Sequence, residues 1–137
     1  MRISRTYAFI TMLLIVIVPF CGCITDGELT LEERAEYEVI DNLREGHYDV
    51  VYSLFNDDMK DLVSEEELGD LWQMIEEVYG PIVDIEGENA GREDLSEDGV
   101  DYIAVYVPCE FEDGTRLQIQ VVFDEDELVA GLWFLPD

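Results

Sequence analysis

Apolar positions follow a helical spacing from residue 31 to about 80 and a strand spacing from there to the end. Leu31, Ala35, Val39, Ile40 and Leu43 recur at three- and four-residue steps, which predicts one helix with a single apolar stripe. Thr30 with Glu33 forms a capping box that should start it near Leu31, and Gly46 should stop it. Residues 47–63, "HYDVVYSLFNDDMKDLV", predict a second, short helix and a following turn. Tyr48, Val51, Tyr52 and Phe55 share its face, and Met59, Leu62 and Val63 continue the apolar pattern. Ser64 with Glu67 is another capping box, opening a helix through Leu68, Leu71, Trp72, Ile75 and Val78 that Gly80-Pro81 should end.

After Pro81 the period becomes two. Residues 82–88 predict a strand, followed by a polar, glycine-containing loop through Gly91 and Asp98-Gly99. "VDYIAVYVPCEFE" predicts a long strand, "EDGT" around Asp113-Gly114 a hairpin turn, and "RLQIQVVFD" the return strand. The "DEDE" at 124–127 makes the next turn, and "LVAGLWFLP" the last strand. The expected fold is therefore α+β: three N-terminal helices packed on one face of a twisted, four-stranded antiparallel sheet, with residues 31–137 as a single domain. Ile103, Val105, Val107, Cys109 and Phe111, with Leu117, Ile119, Val121 and Phe123, should face the helices. The opposite phase carries Tyr102, Ala104, Tyr106, Gln118, Gln120 and Val122. That face is polar enough to be wet and rich enough in tyrosine to be a contact surface, so Tyr102, Tyr106, Gln118 and Gln120 form a candidate interface for a protein partner or a second copy.

The residues before 31 have another character. Arg2 and Arg5 precede "AFITMLLIVIVPF", an apolar run of 13 residues that has the length of a signal-peptide core. Extending it over 7–24 gives about 18 residues, at the cost of including Pro19 and Gly22, so a retained membrane helix is the alternative. Two cysteines, Cys21 and Cys23, end the run. A disulfide between them would close a strained ring. Thiolate metal sites space paired cysteines more widely and need further ligands, and only Cys109 and His47 remain to supply them. "FCGC" resembles a lipobox: an apolar residue, two small ones, and the cysteine that is lipidated, with Phe20 in place of the commoner leucine. The expectation is a signal peptide over 1–22, lipid on Cys23, and a short tether over 23–30 that holds the domain at the outer face of the cytoplasmic membrane. Two hydrocarbon chains on one cysteine suffice for durable anchoring.

Composition narrows the partners. Apolar residues make up 48%, an ordinary share for a packed core, and with the aromatic content they set the chain apart from disordered ones. The 34 acidic residues against seven basic give a net charge of −27. Nucleic acid is excluded as a partner, because binding it needs cationic side chains to replace counterions. An anionic membrane surface would also repel the domain. Acid-rich, lysine-poor composition resembles that of proteins adapted to salt, where screening removes self-repulsion; cation binding is the alternative use of the carboxylates.

No catalytic constellation stands out. His47 and Asp49 are two apart at a helix start and face different ways; Asp49 suits the helix dipole and His47 an exposed turn. Ser53 and Ser64 have no histidine partner nearby in sequence. The runs "DEDE" and "EGENAGRED" lack the alternating ligands and glycine of a calcium loop, so no metal or other cofactor is expected. Tyr48, Tyr52, Trp72 and Tyr79 could line a pocket for a small apolar ligand, or could be plain core at helical spacing.

The stretch from Gly46 to Gly80, followed by strands ending "GLWFLP", resembles the family of domains of unknown function numbered 3887, over residues 31–137. The residues that carry the resemblance are Gly46, Tyr48, Asp49, Phe55, Met59, Val63, Ser64, Leu68, Trp72 and Gly80. The family is similar to the nuclear transport factor 2-like, cystatin-like superfamily, which implies a cone in which a curved sheet wraps around helices, often with a pocket between them. Enzymes of that shape place an Asp or a His–Asp pair in the pocket, while many relatives only bind ligands or dimerise. Two functions follow as expectations: a lipid-anchored, non-enzymatic binding domain, or a small enzyme of the isomerase or dehydratase type.

Overall fold

A computed structural model describes residues 28–137. The expected signal peptide, Cys23 and most of the tether lie outside the described residues.

Helix α1 runs over 31–45. Thr30 caps it as expected: its Oγ1 accepts from the Glu33 N–H at 3.2 Å, and the Glu33 carboxylate accepts from the Thr30 N–H at 2.9 Å. The middle of α1, Ala35–Ile40, is π-helical, and within it the Glu38 carbonyl also accepts from the Asn42 side-chain amide at 2.7 Å. Gly46 ends the helix in the left-handed region at φ +80, with the His47 N–H donating to the Asn42 carbonyl and the Gly46 N–H to that of Leu43. This is a Schellman motif, and its φ value favours glycine.

The second predicted helix is two helices, α2 (Tyr48–Ser53) and α3 (Asp57–Leu62). Between them the chain leaves the helix to meet the sheet. The Val129 N–H donates to the Leu54 carbonyl at 2.8 Å, and the Asn56 N–H to the Val129 carbonyl at 2.9 Å. Asn56 then caps α3 by accepting from the Met59 N–H at 2.8 Å. An asparagine able to cap can end one helix and begin the next, and burying Phe55 favours that break. Helix α4 (Glu65–Tyr79) starts at its Ser64 cap and stops at Gly80, at φ +83 and followed by Pro81.

The sheet is antiparallel and has five strands, one more than predicted. β1 (Ile82–Ile85) and β2 (Gly91–Glu97) both pair with the long β3 (Val100–Phe111), β1 beside Cys109–Phe111 and β2 beside Val100–Tyr106. Together they make one edge, interrupted by a short 3-10 turn at Gly87–Asn89. β4 (Arg116–Phe123) and β5 (Val129–Pro136) complete the order β1/β2–β3–β4–β5. The additional strand is β2, which lies where the sequence predicts a loop. Its side chains are exposed apart from half-buried Leu95, so no alternation of burial marks it. Its turn is nonetheless a two-residue hairpin: Asp98 and Gly99 sit at φ +52 and +79, both left-handed as a type I′ turn requires.

The helices cover one face of this sheet. The residues predicted to face them do so: Val105, Val107, Cys109, Phe111, Leu117, Ile119, Val121 and Phe123 are buried, and Ile103 packs at the margin. Trp72 on α4 anchors the contact, 5.9 Å from the Phe134 ring and 6.5 Å from the Phe111 ring, centroid to centroid. Burying a side chain of this size contributes roughly 1.5–3 kcal/mol.

Candidate functional site

The face of the sheet turned away from the helices is built from four strands. Register sets Tyr106 opposite Gln120 and Ala104 opposite Val122 across β3 and β4. β5 adds Trp133 opposite Gln120 and Gly131 opposite Val122. β2 adds Leu95 opposite Tyr102 and Glu93 opposite Ala104. The side chains cover one another, so Ala104 and Val122 are buried even on this open side. A hydrogen-bond chain crosses it. The Gln120 amide donates to the Tyr106 hydroxyl at 3.3 Å, and that hydroxyl donates to Glu93 at 2.9 Å. The bond to Glu93 raises the Tyr106 pKa above its usual value. Gln118 lies at the other end, its amide donating to Asp137 at 3.1 Å. Three of the four residues of the predicted interface therefore have polar partners on this face, and Tyr102 lies beside a groove.

That groove is open and holds about 460 Å³. Tyr102, Trp133, Leu95, Val122 and Ala130 supply its apolar wall, with Gln120 in the floor. Asn56 and Asp58, from the start of α3, meet it from one side, and Ser96 and Glu97, from the end of β2, from another. Trp133 keeps 50% of its surface exposed.

Of the four aromatics that could line a pocket or be plain core, Trp72 and Tyr79 meet at Phe111, and Tyr48 and Tyr52 pack elsewhere. Trp72 is core, 1% exposed, and its Nε1 is buried without a hydrogen-bond partner. Tyr48 lies flat against Gly69, where a Cβ would meet its ring at 3.0 Å. Tyr52 packs on Phe55 and carries the Lys60 ammonium over its ring at 5.5 Å. Tyr79 packs on Phe111 with centroids 5.7 Å apart. A shallow hollow of about 500 Å³ beside Tyr48 is lined by Asp49, Glu65, Glu66 and Asp70, with no histidine. His47 stands on the turn before α2, its Nδ1 3.3 Å from the Asn42 side-chain oxygen and 3.4 Å from Glu45. Cys109 is wholly buried, and desolvation, with Glu86, Glu36 and Asp84 adding to it, pushes its thiol up to about 12. Among the described residues, no group of three or more His, Cys, Asp or Glu is arranged to hold a metal ion. No described helix is long and apolar enough to cross a membrane.

The profile of a family described as Protein of unknown function (DUF3887) matches residues 37–132. The chain belongs to this family. No curated protein and no solved structure matches it. Seven of the ten residues that resemble the DUF3887 pattern have structural roles here. Gly46 and Gly80 end helices, Ser64 caps α4, and Phe55, Met59, Leu68 and Trp72 are buried. The match ends one residue before Trp133, so the most exposed aromatic of the outer face lies beyond the part of the DUF3887 domain that the profile covers.

Strand alternation puts Tyr102, Gln120 and Val122 on this face and leaves out Trp133, Leu95, Asp58 and Glu97. One signal for Trp133 was present: glycine two residues before an aromatic in "AGLWF" marks a strand position where the ring can fold over bare backbone.

Proposed function

We propose that this DUF3887 chain is a lipid-anchored, non-enzymatic domain at the outer face of the cytoplasmic membrane, whose outer sheet face binds a small molecule with an apolar body. The single observation that carries the binding reading is the groove beside Trp133 and Tyr102. Its volume of about 460 Å³ falls among those of small-molecule sites, and it combines an apolar wall with a few polar groups. Lipidation of Cys23 rests on the lipobox-like "FCGC" and the basic, apolar leader before it. The order of helices followed by an antiparallel sheet supports the likeness to the cystatin-like superfamily.

Among occupants of this face, a small ligand is favoured over a second copy. Self-association would bring two copies of the acidic residues Asp58, Glu93 and Glu97 into one interface, and like charges gathered there are costly. The isomerase or dehydratase reading has thinner support, because the hollow nearest Asp49 is shallow and His47 is turned to Asn42 and Glu45.

The test is binding of the neutral dye N-phenyl-1-naphthylamine to the full chain. Enhanced emission that Trp133→Glu abolishes is expected, and enhancement unchanged by that substitution would remove this face. Intact-mass analysis of the membrane fraction should show a chain beginning at Cys23 with added lipid mass; an unmodified full-length chain would overturn the anchoring.

A further inference from the structure

The lining of the outer-face groove has a sign. Asp58 and Glu97 reach it from opposite elements, and none of its lining residues is basic. The lysine and arginines among the described residues are engaged elsewhere. Arg34 pairs with Glu38 and Glu127, Arg44 with Asp41, Arg92 with Glu32, and Arg116 with Glu86 and Asp137. Lys60 sits over Tyr52. Among the described residues, neither Asp58 nor Glu97 has an ion-pair partner. The half-exposed indole of Trp133 and the ring of Tyr102 line the same groove. Aromatic faces attract cations through their quadrupole, and the effect grows when the site is partly desolvated.

We infer that the ligand of this groove is an organic cation with an apolar body, of the aryl- or alkylammonium class. The inference rests on the binding reading above and names its substrate class. Trp133 and Tyr102 receive the apolar body and the face of the charge, and Asp58 and Glu97 supply the counter-charge. An anion would meet uncompensated carboxylates, and a neutral ligand would leave the charge of the groove unused. A basic peptide offers the same charge, but the small volume favours a single ammonium group over an extended chain.

The experiment is calorimetric titration of the full chain, in uncharged maltoside micelles, with benzyltrimethylammonium, benzyl alcohol and benzenesulfonate. Saturable binding of one benzyltrimethylammonium per chain is expected, roughly tenfold tighter than benzyl alcohol, with no binding of benzenesulfonate. Asp58→Asn with Glu97→Gln should bring the cation down to the level of the alcohol. Trp133→Leu, which keeps apolar bulk but removes the ring face, should weaken the cation more than the alcohol. Glu65→Gln with Glu66→Gln, in the other acidic hollow, should change nothing; an equal loss there would reduce the effect to overall charge and overturn the inference. Equal affinity for cation and alcohol, lost in Trp133→Leu, would overturn the inference and leave the apolar binding reading standing. Binding of none of the three probes to a chain with unchanged circular dichroism would overturn both. Binding of an oligolysine peptide that depends on Asp58 and Glu97, without binding of benzyltrimethylammonium, would also overturn it.

Discussion

Trp133 lays its indole over the α-carbon of Gly131, two residues earlier on the same face of β5. A Cβ at position 131 would overlap ring atoms Cζ3 and Cη2. The missing side chain is thus what lets a half-exposed ring lie down beside the groove instead of standing out into water. Gly131→Ala should displace the ring, at a cost of about 1–3 kcal/mol for forcing extra volume into a packed contact. Urea unfolding should show the loss and the tryptophan emission should move to the red. Unchanged stability with unchanged emission would mean that the ring does not depend on the bare backbone beneath it.

The buried thiol gives a second expectation. Cys109 is closed off between sheet and helices, and burial with three carboxylates around it raises its pKa to about 12. The thiolate is the reactive species, so Cys109 in the native protein at pH 8 should fail to react with a disulfide reagent over the time in which a free thiol reacts completely. Reaction should appear only on unfolding in guanidinium, with one equivalent from this position. Rapid labelling of Cys109 in the native protein would contradict the packing of β3 against α1.

Legibility in the sequence followed the strength of the local signal. The ends of α1 and α4 could be read because Thr30, Ser64, Gly46 and Gly80 each perform a capping chemistry that depends on few neighbours. The break at residues 54–56 could not, because it is made by pairing with Val129, more than 70 residues away. β2 was hidden because the period-two signal needs one buried face, and an edge strand reading "GREDLSE" has none. For the site, alternation placed Tyr102 and Gln120 on the outer face. The phase of β5 is harder to follow, because a bulge pairs Val122 with Gly131 but Phe123 with Val129, leaving Ala130 extra. Asp58 joins the groove from a helix, a placement that no local pattern encodes.

Glu36 shows a charge the fold disfavours. Its carboxylate lies against Gly87, and desolvation first, then Asp41, Glu88 and Glu33, raises its pKa above 4.5. The folded state therefore holds this proton more tightly than the unfolded state, and stability from this group falls as pH rises from about 4.5 through the native midpoint. Glu36→Gln removes the penalty while keeping the shape. The variant should be more stable than the parent at pH 7, by up to ~0.5 kcal/mol given solvent screening, and equal to it below pH 4. Thermal melts at the two pH values would decide, and a variant less stable at pH 7 would show that the carboxylate is favoured where it lies.

The opposite sign holds at the C-terminus, where Arg116 gathers three parts of the chain. Its Nε donates to Asp137 at 2.9 Å and its Nη2 forms an ion pair with Glu86, just past β1, while Gln118 also donates to Asp137. The hydrogen bond from Arg116, then that from Gln118, holds the Asp137 side-chain carboxyl below its usual 3.8. A depressed carboxylate contributes stability that is fully present above the unfolded pKa and lost as pH falls through the native one. An NMR titration should therefore place the Asp137 side-chain midpoint below 3.8 in the parent and nearer 3.8 in Arg116→Gln. Raising the salt concentration should narrow that difference, because both groups are solvent-exposed and screened. A midpoint that does not move in Arg116→Gln would mean that Gln118 alone holds the carboxylate. The pairing that fixes the end of β5 beside β4 would then be the amide contact and not the ion pair.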